Sequence, residues 1–89
     1  MQRTITITSE NFDSFSILYR VINVIAELRE KQVSPKCSYP FSFILRRAGI
    51  CLPPAYRSIV LSCLKNLPLV DVVKRRRKGK EWHRVVIYK

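Results

Sequence analysis

Phe41 to Ile50 reads F-S-F-I-L-R-R-A-G-I. Phe41, Ile44, Leu45 and Ala48 recur at helical spacing and make one apolar face. Arg46 and Arg47 fall off that face. Gly49 ends the helix, because a helix commonly terminates in left-handed backbone that glycine enters without a steric penalty. Upstream, Ser38 can cap the helix and Pro40 sits in its first turn, where a missing N–H loses nothing. Downstream, Ile50-Cys51-Leu52 reads as a turn, and Pro53-Pro54 opens a further helix to about Asn66. Its apolar face is Tyr56, Val60, Cys63, Leu64 and Leu67; the spacing from Tyr56 to Val60 places Tyr56 in the core. The opposite side shows Arg57, Ser58, Leu61, Ser62 and Lys65, and Pro68 stops the helix.

Working outward toward the C-terminus, Leu69 to Lys74 is a strand with Val70, Val72 and Val73. Arg75 to Lys80, R-R-R-K-G-K, is a loop in which Gly79 supplies a permissive turn position. Trp82 to Tyr88 is the returning strand, with Val85, Val86 and Ile87. The two strands form a β-hairpin. Working outward toward the N-terminus, Gln32 to Tyr39 is a connector in which Cys37-Ser38 adds a short strand. Phe12 to about Glu30 has helical spacing in two stripes: Phe15, Leu18, Ile22, Ile25, and Ile17, Val21, Val24, Leu28. Arg20, Asn23, Glu27 and Glu30 hold the wet side. Two stripes make a face wider than one core contact requires. Either the helix is buried on two sides within its own domain, or the second stripe, with the Ile5–Ile7 strand, meets a second copy. An 89-residue chain has little else to cover that surface, which favours the dimer. Arg3 to Thr8 alternates Thr and Ile as a short strand does, and Ser9 or Asn11 is the candidate cap for the helix that follows.

The length suits one small domain, residues 1–89. Hydrophobic residues make up 47% of the chain, enough for a packed core. No apolar run reaches about 18 residues, and no basic start followed by an apolar core marks a secretory signal, so an intracellular location is expected. The net charge is +11, and ten of those eleven charges lie in residues 46–89. Positive charge focused in this way steers a protein toward polyanions: nucleic acid, an anionic membrane face or an acidic protein. Solubility alone requires no such segregation.

The sequence of elements is helix, connector, helix, turn, helix, hairpin. F-S-F-I-L-R-R-A-G-I resembles the first helix and turn of a helix-turn-helix, and S-I-V-L-S-C-L-K-N-L-P-L-V resembles a recognition helix running into a wing strand. With R-R-R-K-G-K at the hairpin tip, residues 12–89 are similar to the winged helix-turn-helix family, and to its small regulators from archaea and their viruses. One feature departs from the pattern. The segment from Gly49 to the third helix contains Leu52-Pro53-Pro54 and is longer than the usual tight turn.

The resemblance implies an α+β winged helix-turn-helix fold of three helices and a C-terminal hairpin wing, with a short N-terminal strand. It implies double-stranded DNA as partner and transcriptional regulation as role. The third helix would enter the major groove, about 12 Å wide, with Arg57, Ser58, Ser62 and Lys65 reaching bases or phosphates. The wing, with Arg75, Arg76, Arg77, Lys78 and Lys80, would lie along phosphates or enter the minor groove. Residues on a hairpin alternate sides, so these five cannot all face one way. Arg46 and Arg47 would approach the backbone from the second helix. A homodimer would present two third helices to an inverted repeat. A protein-interaction module and an RNA- or ribosome-associated winged helix are the rival readings.

No cofactor, small-molecule substrate or membrane partner is indicated. Cys37, Cys51 and Cys63 cannot all pair within one chain, and their spacing with the lone His83 matches no zinc site. Cys63 reads as a small core residue, and Cys37 or Cys51 could link two copies. Paired carboxylates and a glycine-rich phosphate cradle are both missing from the pattern, so an enzyme is not expected.

Overall fold

The computed structural model describes residues 5–8 and 10–89. The elements are β1 (Ile5–Thr6), α1 (Ser14–Lys31), β2 (Lys36–Pro40), α2 (Phe41–Ala48), β3 (Ile50–Cys51), α3 (Pro54–Lys65), β4 (Val70–Arg77) and β5 (Lys80–Tyr88). The chain is α+β, with three helices and a three-stranded antiparallel sheet of order β2-β5-β4. Among the described residues, no helix is long and apolar enough to cross a membrane.

Helix α1 starts from Asp13, not Asn11. The Asp13 carboxylate accepts the N–H of Phe15 at 3.1 Å, satisfying a donor the helix leaves open. Asn11 is occupied elsewhere: its side-chain oxygen accepts the N–H of Thr8 at 2.6 Å and its amide donates to the Thr6 carbonyl at 3.0 Å. Ser9, the other candidate cap, lies outside the described residues, as do Arg3 and Thr4 of the expected strand. The remaining strand residues pair in parallel with β3, Ile5 opposite Ile50 and Thr6 opposite Cys51. The expected turn at Ile50-Cys51 is therefore a strand, because β1 returns to supply its hydrogen-bond partners. These run from the Ile5 N–H to Gly49 O at 2.7 Å and from the Ile7 N–H to Cys51 O at 2.9 Å.

The core takes one whole stripe of α1 and part of the other. Ile17, Val21, Val24 and Leu28 are buried in the chain's own core, where α1 packs against α2, α3 and β5, and Ile25 joins them. The stripe expected to meet a second copy is thus internal, and so is Ile7. The other stripe faces outward at its start, where Phe15 is 83% exposed with Tyr19 68% exposed one turn on. At the far end of α1, Gln32 is buried and donates to the carbonyls of Ser34 and Ile87, fastening the helix to β5.

Strand β2 is longer than Cys37-Ser38, and Pro40 is the N-cap residue of α2 without a side-chain capping bond. Ser38 does not cap, because its hydroxyl accepts from Arg84 Nε of the neighbouring strand at 2.7 Å. Phe41, Ile44 and Leu45 are buried as their spacing predicts, and Gly49 closes α2 at φ 74°. In α3, Val60 and Leu64 are buried on the expected face. Leu61, placed on the wet side by sequence, is also buried at 5% exposure. It joins the common core between α1 and the sheet, which narrows the exposed stripe of α3. Tyr56 is half-buried and stacks on Phe12 with ring centroids 4.5 Å apart.

The expected basic loop is mostly strand. Pairing continues to Arg77 opposite Lys80, leaving Lys78 and Gly79 as the turn. Both have positive φ, 50° and 77°, as a two-residue type I′ hairpin turn requires. Val70, Val72, Val85 and Ile87 point from the sheet into the core.

Candidate nucleic-acid interface

Position along α3 decides which side chains remain exposed. With Val60, Leu61 and Leu64 buried, the outward stripe is Arg57, Ser58, Ser62 and Lys65. This stripe forms one wall of a groove of about 610 Å³. Glu81, Trp82 and His83 of β5 border the opposite side, and Pro40, Phe41 and Ser42 close one end. The β2 pairing of β5 ends at Pro40 opposite Arg84. Beyond it, β5 turns an unpaired strand edge to the groove, and its free peptide groups are hydrogen-bonding partners for a ligand.

Arg57 is held in place. Its Nε donates to the Leu52 carbonyl at 3.0 Å, so the remaining guanidinium nitrogens are oriented by the β3–α3 connection. Arg57 also borders a shallower hollow of about 330 Å³ shared with Arg46 and Ser42. Arg46 and Arg57 thus come together at one edge. Arg47 does not join them. It pairs with Glu27 of α1 at 2.8 Å and lies over the Phe43 ring at 5.9 Å. Lys31, then Arg47, hold the Glu27 carboxyl below its ordinary value of 4.5.

The hairpin register sorts the basic residues by face. Lys74 is opposite His83 and Arg76 opposite Glu81, on the side that carries Val72 and Val85 into the core. There Glu81 meets Lys74 at 3.1 Å and Arg76 at 3.3 Å. Arg75 opposite Trp82, and Arg77 opposite Lys80, occupy the other face. Lys78 stands in the turn. Of the five predicted wing cations, Arg76 is therefore partly neutralised, while Arg75, Arg77 and Lys80 form no ion pair among the described residues.

Two residues at this site escaped sequence reasoning. Trp82 reads only as the start of the returning strand, and Glu81 falls between that strand and the loop. The signal lies in the cross-strand register, fixed once the turn is placed at Lys78-Gly79. Cys51 is exposed, Cys37 and Cys63 are half-buried, and all three are free thiols. Among the described residues, no group of three or more His, Cys, Asp and Glu side chains comes together. No protein-family model matches the chain, and no curated protein or solved structure matches it either.

Proposed function

We propose that the chain is a winged-helix protein that binds double-stranded DNA and regulates transcription. Helix α3 docks in the major groove and the β4–β5 hairpin serves as the wing. The observation that carries this reading is the shared groove, in which the exposed stripe of α3 and the turn-side part of β5 stand as facing walls. Its α3 and β5 walls lie in the part of the chain that holds ten of the eleven net charges. Three further features support the reading: the chain order β1-α1-β2-α2-β3-α3-β4-β5, the β2-β5-β4 sheet, and the cationic hairpin projecting beyond the β2 pairing. Ser58, Ser62 and Lys65 face the duplex, and Arg57 works with Arg46 as a pair of guanidiniums on a phosphate. Arg57 then positions more than it reads, since its Nε is already engaged. Two copies bind together, each on one half of an inverted repeat.

A salt series with random duplex DNA tests the proposal. Five neutralised phosphates give a slope of log K against log salt of about −4 to −5. Changing Arg75, Arg76 and Arg77 together to Ala weakens binding to every sequence and flattens the slope. Unchanged affinity removes the hairpin from the mechanism, and a clear preference for structured RNA over duplex DNA overturns the reading.

A further inference from the structure

Strand alternation gives the hairpin two chemically different faces. The inner face balances itself: Arg76 is opposite Glu81, which also takes Lys74. The outer face does not. Arg77 is directly opposite Lys80, a like-charged cross-strand pair, and Arg75 stands on the same face in no ion pair among the described residues, with Asp71 four residues back along the strand. Like charges directly opposite one another destabilise a sheet, so this arrangement suits an anion held between them. Trp82 lies in the middle of these cations. It is opposite Arg75 and 39% exposed. Its side chain leaves the strand on the side of Arg84, which reaches Ser38, and opposite to Glu81. Among the described residues no cation caps the indole and no aromatic ring stacks on it.

An open aromatic ring inside a cationic frame is the arrangement that holds unpaired nucleotides: a base stacks on the ring and neighbouring phosphates meet the charges. A duplex offers this surface its phosphates but keeps its bases stacked on each other. We infer that the outer face of the β4–β5 hairpin binds single-stranded DNA, with Trp82 as the stacking platform and Arg75, Arg77 and Lys80 as the phosphate contacts. Trp82 also borders the α3 groove, and Arg75 and Arg77 belong to the wing proposed for the duplex, so the two surfaces share an edge and are told apart by stacking on the indole.

Trp82 is the only tryptophan in the chain, so its fluorescence reports on this face directly. The protein is titrated with a short mixed-sequence oligodeoxynucleotide, and separately with its duplex, at physiological ionic strength. The single strand is expected to quench the emission. Trp82→Ala is expected to weaken single-strand binding about 5- to 150-fold and duplex binding by a clearly smaller factor, and Trp82→Phe to recover part of the single-strand loss. Changing Arg57 and Lys65 together to Ala is expected to do the reverse. A Trp82→Ala protein that keeps full single-strand affinity overturns the inference. So does one that loses single strand and duplex by the same factor, or a wild type that prefers the oligoribonucleotide of the same sequence. A wild type that binds the single strand and no duplex overturns the proposed function and leaves this surface standing.

Discussion

Glu81 sets how much of the hairpin's charge is available. Its two ion pairs are solvent-exposed, with side-chain exposures of 40% for Glu81 and 61% and 74% for Lys74 and Arg76. Exposed pairs contribute about 0–1 kcal/mol, so their removal leaves the fold nearly unchanged. If the hairpin binds DNA as proposed, their effect on that binding is larger, because Glu81 repels phosphates and occupies two cations that could meet them. Glu81→Gln is expected to tighten binding to any duplex and steepen the salt slope by about one to two, with an unchanged melting temperature. Weaker binding would show instead that the carboxylate accepts from a base amino group. Asp13 makes a separate prediction. The Ser16 hydroxyl, and then the helix N–H groups, hold its carboxyl below the ordinary 3.8. Its folded value lies below its unfolded value, so its stabilisation is complete at neutral pH and is lost as pH falls from about 3.8 through the folded value. Wild type and Asp13→Ala compared in urea melts should differ most near neutrality and converge in acid. Such details are only partly legible in a sequence. The spacing starts the helix at Phe12 and so looks for the cap at Ser9 or Asn11 and misses Asp13, and the Arg47–Glu27 pair joins residues that meet only after α1 and α2 have packed.

At the scale of elements, legibility follows how local the determining forces are. The bounds of α2 and α3 come from Pro40, Gly49 and Pro53-Pro54, whose backbone restrictions act within a few residues, and they stand nearly where the spacing puts them. Strand β3 was unreadable for the opposite reason, since two residues become a strand only when β1 lies beside them. The hairpin fell between these cases. Its strands were evident, but the run of cations looked like loop because charge resembles solvent exposure, and exposed strand positions carry charge equally well. The turn offers a direct check. A Cβ at Gly79 meets nothing within 4 Å, so Gly79→Ala tests backbone conformation alone. At φ 77° the substitution should cost about 1–2 kcal/mol, read from chemical denaturation. No loss would mean that the turn relaxes to another type. Leu64, fully buried in α3, should cost about 2–5 kcal/mol as Leu64→Ala in the same assay. A much smaller loss would show that the core around α3 collapses to fill the space.

For the whole molecule, the decisive question is where a second copy can approach. Each chain carries +11, so most surfaces of two copies repel. The first 45 residues are nearly balanced, with Glu10, Asp13, Glu27 and Glu30 among them, and α1 presents Phe15 and Tyr19 to solvent on that part of the chain. In the proposed dimer, contact there would bury aromatic surface on the less charged part of the chain. The width of α1's apolar face was legible, and most of it is covered by the chain's own core, the first of the two readings that the spacing left open. Which stripe stays outside was not legible, because that depends on how α2, α3 and β5 divide the helix between them. Changing Phe15 and Tyr19 to Ser should leave stability within about 0.5 kcal/mol, since both are exposed in one copy. Sedimentation equilibrium should find dimers for the wild type and monomers for the double variant. On inverted repeats with half-sites about 34 Å apart, the wild type should bind as a pair and the variant should lose its preference for that spacing. A wild type that stays monomeric both free and on such DNA would remove α1 as a contact surface and leave a single copy reading a shorter site.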